Sequence, residues 1–241
     1  MIMSVDSMRM NSPLPEAIAE SRQLILVTTG GWNAVDGEIR LYERDSINDR
    51  WKAVGEKISV VVGRNGMAWG RGLHGDPIGE GPVKQEGDGR APAGVFRLSS
   101  AFGYAPPEQA GDVKLPYVQA VATLECVDDP QSAHYNRIID RGAVENPDWK
   151  SSERMRREDD QYRWGVVVDH NAQGVSGRGS CVFLHIWEGA GKGTAGCTAM
   201  NLSSIEDLLR RLDAKKRPIL VQLPQVELAR WRKAWGLPIA H

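Results

Sequence analysis

CVFLHIWEGAGKGTAGCTAM, residues 181–200, holds the densest concentration of chemistry-bearing residues in the chain, and the rest is read outward from it. Its first part, Cys181 to Ile186, is an apolar run of strand type whose end presents His185. A loop containing Gly189, Gly191, Gly193 and Gly196 follows and delivers Cys197 just ahead of a helix. Glycines let the backbone turn tightly and a substrate come close, and a turn rich in free N–H groups can stabilise an oxyanion. A thiol attacks only as thiolate, so a nucleophilic Cys197 needs an imidazole within reach, which His185 is placed to supply. The bland alternative is a small buried cysteine beside a strand histidine; the glycine loop weighs toward function.

Outward from this stretch the chain reads as mainly β. Runs rich in Val, Ile, Leu and Tyr, bounded by Gly, Asn, Asp and Pro, predict strands at 24–29, 38–43, 58–63, 94–98, 117–127, 165–169 and 180–187. Residues 144–161 are polar and highly charged, which suits a solvated helix or flap with no catalytic part. Ser203 with Glu206 forms a capping box ahead of the stripe Leu208, Leu209 and Leu212. A strand at 218–223 and a helix at 226–235 close the chain. Residues 1–20, Met-rich and broken by Pro13 and Pro15, read as a flexible leader, leaving 21–241 as a single domain with no internal repeat. The segment GRNGMAWGRG, 63–72, lacks a phosphate-loop ending and needs only a hairpin turn.

Composition narrows the function. At 241 residues with 41% apolar and 25% charged residues, the chain is of globular type. A formal net charge of −1 supplies no field toward nucleic acid or an anionic membrane. No apolar run approaches the roughly 20 residues of a spanning helix, so an integral membrane protein is not expected. Three cysteines, Cys126, Cys181 and Cys197, are too few for a disulfide scaffold and hold no CxxC pair. His134, Asp128, Asp129 and His170 lack the spacing of a zinc protease, so neither metal nor cofactor is expected.

The stretch from Thr194 to Met200 resembles the catalytic signature of the L,D-transpeptidase family, in which a strand histidine precedes a loop ending in Ser/Thr-His-Gly-Cys, with Arg or Asn and then Met shortly after. Thr194, Gly196, Cys197 and Met200 match, as does His185 upstream. A second stretch, EGDGRAPAGVFRL at 86–98, is similar to the family's strand entry through Pro92, Gly94 and Phe96. Ala195 and Ala199 replace the family's second histidine and its Arg or Asn, and the interval from His185 to Cys197 is shorter. Arg64, Arg137, Arg141 and Arg178 are candidates for the missing cation.

The resemblance implies an α+β, mainly β sandwich of mixed sheets with a charged helical insertion and C-terminal helices. It implies attack by Cys197 on a peptidoglycan stem peptide, with His185 as base, its ring oriented by a backbone carbonyl of the loop. The N–H groups of Ala195, Gly196 and Cys197 would receive the oxyanion, beside Thr194. Trp187, His170 and Arg178 are the candidate substrate-binding residues. Crosslinking through an amine, hydrolysis as an L,D-carboxypeptidase, another cysteine peptidase or amidase, and a non-catalytic cell-wall binding module are the readings that remain. The substrate implies a periplasmic or cell-wall location and a trimmed export signal. Oligomeric state is not legible.

Overall fold

A computed structural model of the chain describes residues 15–75 and 79–238. Strands cover 36% and helices 15%, so the protein is mainly β, as the alternating runs predict. The strands are β1 (Gln23–Thr29), β2 (Asp36–Glu43), β3 (Lys52–Val61), β4 (Met67–Trp69), β5 (Ala91–Gly103), β6 (Tyr117–Gln119) and β7 (Leu124–Val127). They continue with β8 (Ile138–Asp140), β9 (Ser152–Arg154), β10 (Trp164–Val168), β11 (Phe183–Ile186), β12 (Thr198–Met200) and β13 (Ile219–Pro224). Among the described residues three short α-helices accompany them: α1 (Glu16–Glu20), α2 (Leu202–Arg211) and α3 (Gln225–Trp231).

The main sheet closes on itself. Its strands run β10-β11-β12-β3-β2-β1-β13-β5, and β5 pairs back to β10. The length of β5 makes this possible: Gly94 to Arg97 lie against β13, and Leu98 to Gly103 against β10. The expected pair of facing sheets is therefore corrected to a closed barrel. Near eight strands, a barrel is just narrow enough for side chains to fill. Leu24, Leu26, Val95, Val166, Leu184 and Leu220 are buried in one continuous core. Burying each such side chain stabilises the fold by roughly 1.5–3 kcal/mol. β1 and β13 read as near-continuous apolar runs because both their faces are covered, with α3 packed across them.

A smaller sheet, β8-β7-β9, sits beside the barrel, and a disulfide between Cys126 of β7 and Cys181 ties the two together. The expected strand at 117–127 is in fact two: β6 stays on the barrel, and the chain turns at Val121–Leu124 before β7 enters the small sheet. The charged insertion at 144–161 holds no α-helix. It contains β9 and leads into a single 3-10 turn, Asp160–Tyr162, because Met155 and Tyr162 bury themselves against Phe183 and the disulfide. The cap of α2 is Asn201, whose side chain accepts from the Ser204 N–H, rather than Ser203 with Glu206. Of the expected leader, residues 1–14 lie outside the described residues, while 16–20 form α1 and Ile18 joins the core.

Gly94 shows what the second matching stretch encodes. It lies at φ +139°, and a Cβ there would fall 2.1 Å from the His74 ring, so only glycine lets the strand pass the imidazole.

Candidate active site

β11 and β12 run parallel, with His185 in register with Ala199 and Leu184 with Thr198. Residues in register on a parallel pair face the same side, so Cys197, two positions before Ala199, rises on the same face as His185. Strand spacing and rise place the two Cα atoms roughly 8 Å apart. Both side chains line one pocket of about 270 Å³.

The loop between them is held at both ends. The Thr194 N–H donates to the Val62 carbonyl and the Arg64 N–H to Thr194 O, which zips the loop to the end of β3. A Cβ on Gly193 would stand 2.5 Å from Arg64 Cα, so this close approach requires glycine. Thr194 Oγ1 donates to the Cys197 carbonyl at 2.7 Å and accepts from the Gly196 N–H at 3.1 Å. Beneath the nucleophile, Thr198 Oγ1 donates to Gln222 Oε1 at 2.6 Å, and Gln222 Nε2 donates to Pro92 O at 2.8 Å. The two stretches singled out in the sequence are thus joined through one buried glutamine.

Cys197 is free and buried. Its Sγ accepts from the Phe183 N–H at 3.3 Å and donates to Cys181 O at 3.5 Å, so in this arrangement it is not bonded to His185. Burial first, and the nearby Glu153 second, push the thiol up to about 12. His185 Nδ1 lies 2.8 Å from the Ile186 carbonyl. A carbonyl can only accept, so Nδ1 carries the proton and Nε2 the lone pair. The orienting carbonyl thus belongs to the last residue of β11, not to the loop. Burial brings the imidazole down to about 4, against the opposing pull of the Ile186 and Gln161 carbonyls. Tyr162 packs edge-on against the ring at 5.1 Å. The resting pair is therefore neutral thiol and neutral imidazole.

The other wall of the pocket comes from the charged insertion, which was expected to play no part: Glu153, Arg157, Gln161 and Tyr162 all line it. Arg157 forks onto Asp159 at 2.8 and 2.7 Å, and Glu153 Oε2 accepts from the Tyr162 hydroxyl at 2.6 Å. Sequence reading missed these four because the run around them looks like a solvated face.

Several expected site residues stand elsewhere. Thr194 and Ala195 line the pocket, but the Gly196 N–H is committed to Thr194 Oγ1 and is not free for an oxyanion. His170 is buried away from the pocket, its Nδ1 accepting from the Arg71 N–H and its Nε2 facing Arg178 O at 2.9 Å; it fastens the loop after β10. Arg178 is exposed on that loop, and Trp187, half-buried, donates its N–H to Met200 O; neither lines the pocket. Among the cation candidates, Arg141 pairs with Glu125, and Arg64 gives the loop its backbone. Three larger cavities among the described residues, about 530, 550 and 330 Å³, contain neither the thiol nor the base. No protein-family model, no curated protein and no solved structure matches the chain.

Proposed function

We propose that this protein is a cysteine acyl transferase of the L,D-transpeptidase kind, acting on peptidoglycan stem peptides. One observation carries the reading: a free cysteine and a neutral, tautomer-fixed histidine meet in one pocket at the ends of adjoining parallel strands. The matches at Thr194, Gly196, Cys197, Met200, Pro92, Gly94 and Phe96 support the family.

With the thiol pushed up to about 12 and the imidazole down to about 4 by burial, no thiolate–imidazolium pair stands ready in the pocket. His185 Nε2 takes the Sγ proton as Sγ bonds to the carbonyl carbon of the stem peptide. The charge reaching the carbonyl oxygen is met by the N–H groups of Ala195 and Cys197, since that of Gly196 is occupied. The peptide C–N bond then breaks and the imidazolium returns its proton to the departing D-alanine amine, leaving a thioester. An acceptor amine gives a crosslink; water gives a shortened stem.

Arg157 takes the place of the family's missing cation, facing the substrate carboxylate from the insertion rather than from position 199, where buried Ala199 opposes His185. The Cys126–Cys181 disulfide suits an oxidising compartment outside the cytoplasm. Among the described residues, no helix is long and apolar enough to cross a membrane.

Product analysis on a disaccharide tetrapeptide tests this. D-alanine release that disappears in Cys197→Ala and falls about 10²–10⁴-fold in His185→Gln supports the reading; dimer or tripeptide then distinguishes transfer from hydrolysis. The non-catalytic binding module is favoured by the thiol's bonds away from His185. It is the conclusion if the tetrapeptide binds and D-alanine is not released.

A further inference from the structure

The segment 84–90, just ahead of Pro92, Gly94 and Phe96, has no part in the steps above, yet it holds a lysine where lysines are seldom found. Lys84 is only 4% exposed, and its ammonium donates to Asp88 Oδ1 at 2.5 Å and to Gln85 O at 2.9 Å. Asp88 is pinned in turn by the Gln85 N–H at 2.8 Å and the Arg90 N–H at 2.9 Å. A buried ion pair adds little stability over apolar side chains of similar size, so stability alone does not account for this one. Its location is more telling. The lysine stem passes Gly179, where a Cβ would stand 3.0 Å from Lys84 Cε, and ends beneath the nucleophile turn, where a Cβ on Gly196 would stand 3.7 Å from Lys84 Nζ. Lys84 is not among the residues that line the pocket.

We propose that Lys84 is a positioning residue for Cys197: a cation seated by Asp88 behind the Ala195–Gly196–Cys197 turn, supporting the negative charge that forms on Sγ and on the substrate's carbonyl oxygen. Its part in catalysis rests on the acyl-transferase reading; its effect on the thiol does not. Arg157 lines the pocket and is open to a substrate carboxylate, whereas Lys84 faces the turn from its buried side. A fixed charge in such a dry site acts at low dielectric and needs no rearrangement as the reaction proceeds. Around the thiol, burial and Glu153 of β9 oppose ionisation, while the Phe183 N–H, Lys84 and Arg157 favour it. Tyr162 and His185 complete the wall as neutral groups.

Alkylation of Cys197 by iodoacetamide at about pH 9, followed by intact mass, reads the effect on the thiol, since Cys126 and Cys181 are bonded to each other. Lys84→Met keeps the stem and removes the cation, and is expected to slow alkylation about tenfold. Asp88→Asn keeps the cation and removes its counterion, and is expected to speed alkylation. A pair that merely braces the loop is broken by either change and moves the rate in one direction; that result, or no change in either variant, overturns the proposal. If Lys84→Met does not fold, the double change Lys84→Met, Asp88→Asn leaves no buried charge without a partner. It too is expected to react more slowly than wild type, and a rate equal to or above wild type overturns the proposal. With a disaccharide tetrapeptide, Lys84→Met is expected to lower kcat for D-alanine release about tenfold with KM unchanged, because Lys84 does not touch substrate. A loss confined to KM overturns it. Opposite shifts in alkylation without D-alanine release from wild type leave the hold of Lys84 on the thiol standing and remove the acyl-transferase reading. Release from wild type without opposite shifts removes the role of Lys84 alone.

Discussion

At Cys197 and His185 the same physical cause acts on two groups in opposite directions. Enclosure disfavours charge, so it raises the acid thiol and lowers the basic imidazole, and the pair rests neutral. The base form of His185 is then present down to about pH 4. The acid limb of kcat/KM is expected there, and a limb near the ordinary histidine value of about 6.5 contradicts the account. The same enclosure makes the thiol sluggish toward soluble reagents: alkylation of native Cys197 by iodoacetamide should still be accelerating at pH 10. A plateau below pH 8 would reveal a thiolate stabilised by His185 that this arrangement lacks. Both residues were legible in the sequence because a strand histidine, a glycine loop and a cysteine lie within one short stretch. Glu153, Arg157 and Tyr162 were not, because what brings them to the pocket is a fold-back of the chain that no local pattern records.

Among the elements, the disulfide and the cap carry separable weights. Cys126–Cys181 closes a loop of 55 residues, and the chain-entropy relation assigns such a crosslink roughly 4 kcal/mol. Urea unfolding of the Cys126→Ser, Cys181→Ser chain should show a loss near that size; a loss under about 1 kcal/mol would mean the small sheet is held by packing alone. At α2, Asn201→Ala is expected to cost about 1 kcal/mol and Ser203→Ala much less, because Asn201 Oδ1 accepts from both the Ser204 N–H and the Ser203 hydroxyl. The reverse order would restore the Ser203 and Glu206 box that the sequence suggests. Strand recognition divides along the same physical line. β1, β2 and β13 announce themselves through Val, Ile and Leu runs, whereas β4, β8, β9 and β12 are three residues each and too short to show a period. Residues 144–161 read as helix or flap through their charge. What organises them is three buried side chains, Trp149, Met155 and Tyr162.

For the whole molecule, closure of the barrel was the least legible feature, because it depends on β5 meeting β13 with one half and β10 with the other. A thirteen-residue strand looks the same in sequence whether its sheet stays open or closes. The folded protein also carries a pH signature through its two deeply buried imidazoles, His170 and His185, each brought down to about 4 by burial. Between that value and about 6.5 the unfolded chain binds protons that the folded chain refuses, so stability is present near neutrality and falls as pH drops. From pH 7 to 5 each imidazole withdraws about 2 kcal/mol. His170→Gln, away from the pocket, should therefore lose about 2 kcal/mol less than wild type over that interval in urea unfolding, and parallel losses would contradict the assignment.

The proposed acyl bond between Cys197 and a peptidoglycan stem is read directly by intact mass spectrometry of the protein mixed with a disaccharide tetrapeptide. The expected product is an adduct equal to the muropeptide less D-alanine, absent from Cys197→Ala and slowed in His185→Gln. Folded wild-type protein that binds the muropeptide yet gains no mass, and releases no D-alanine, would contradict it.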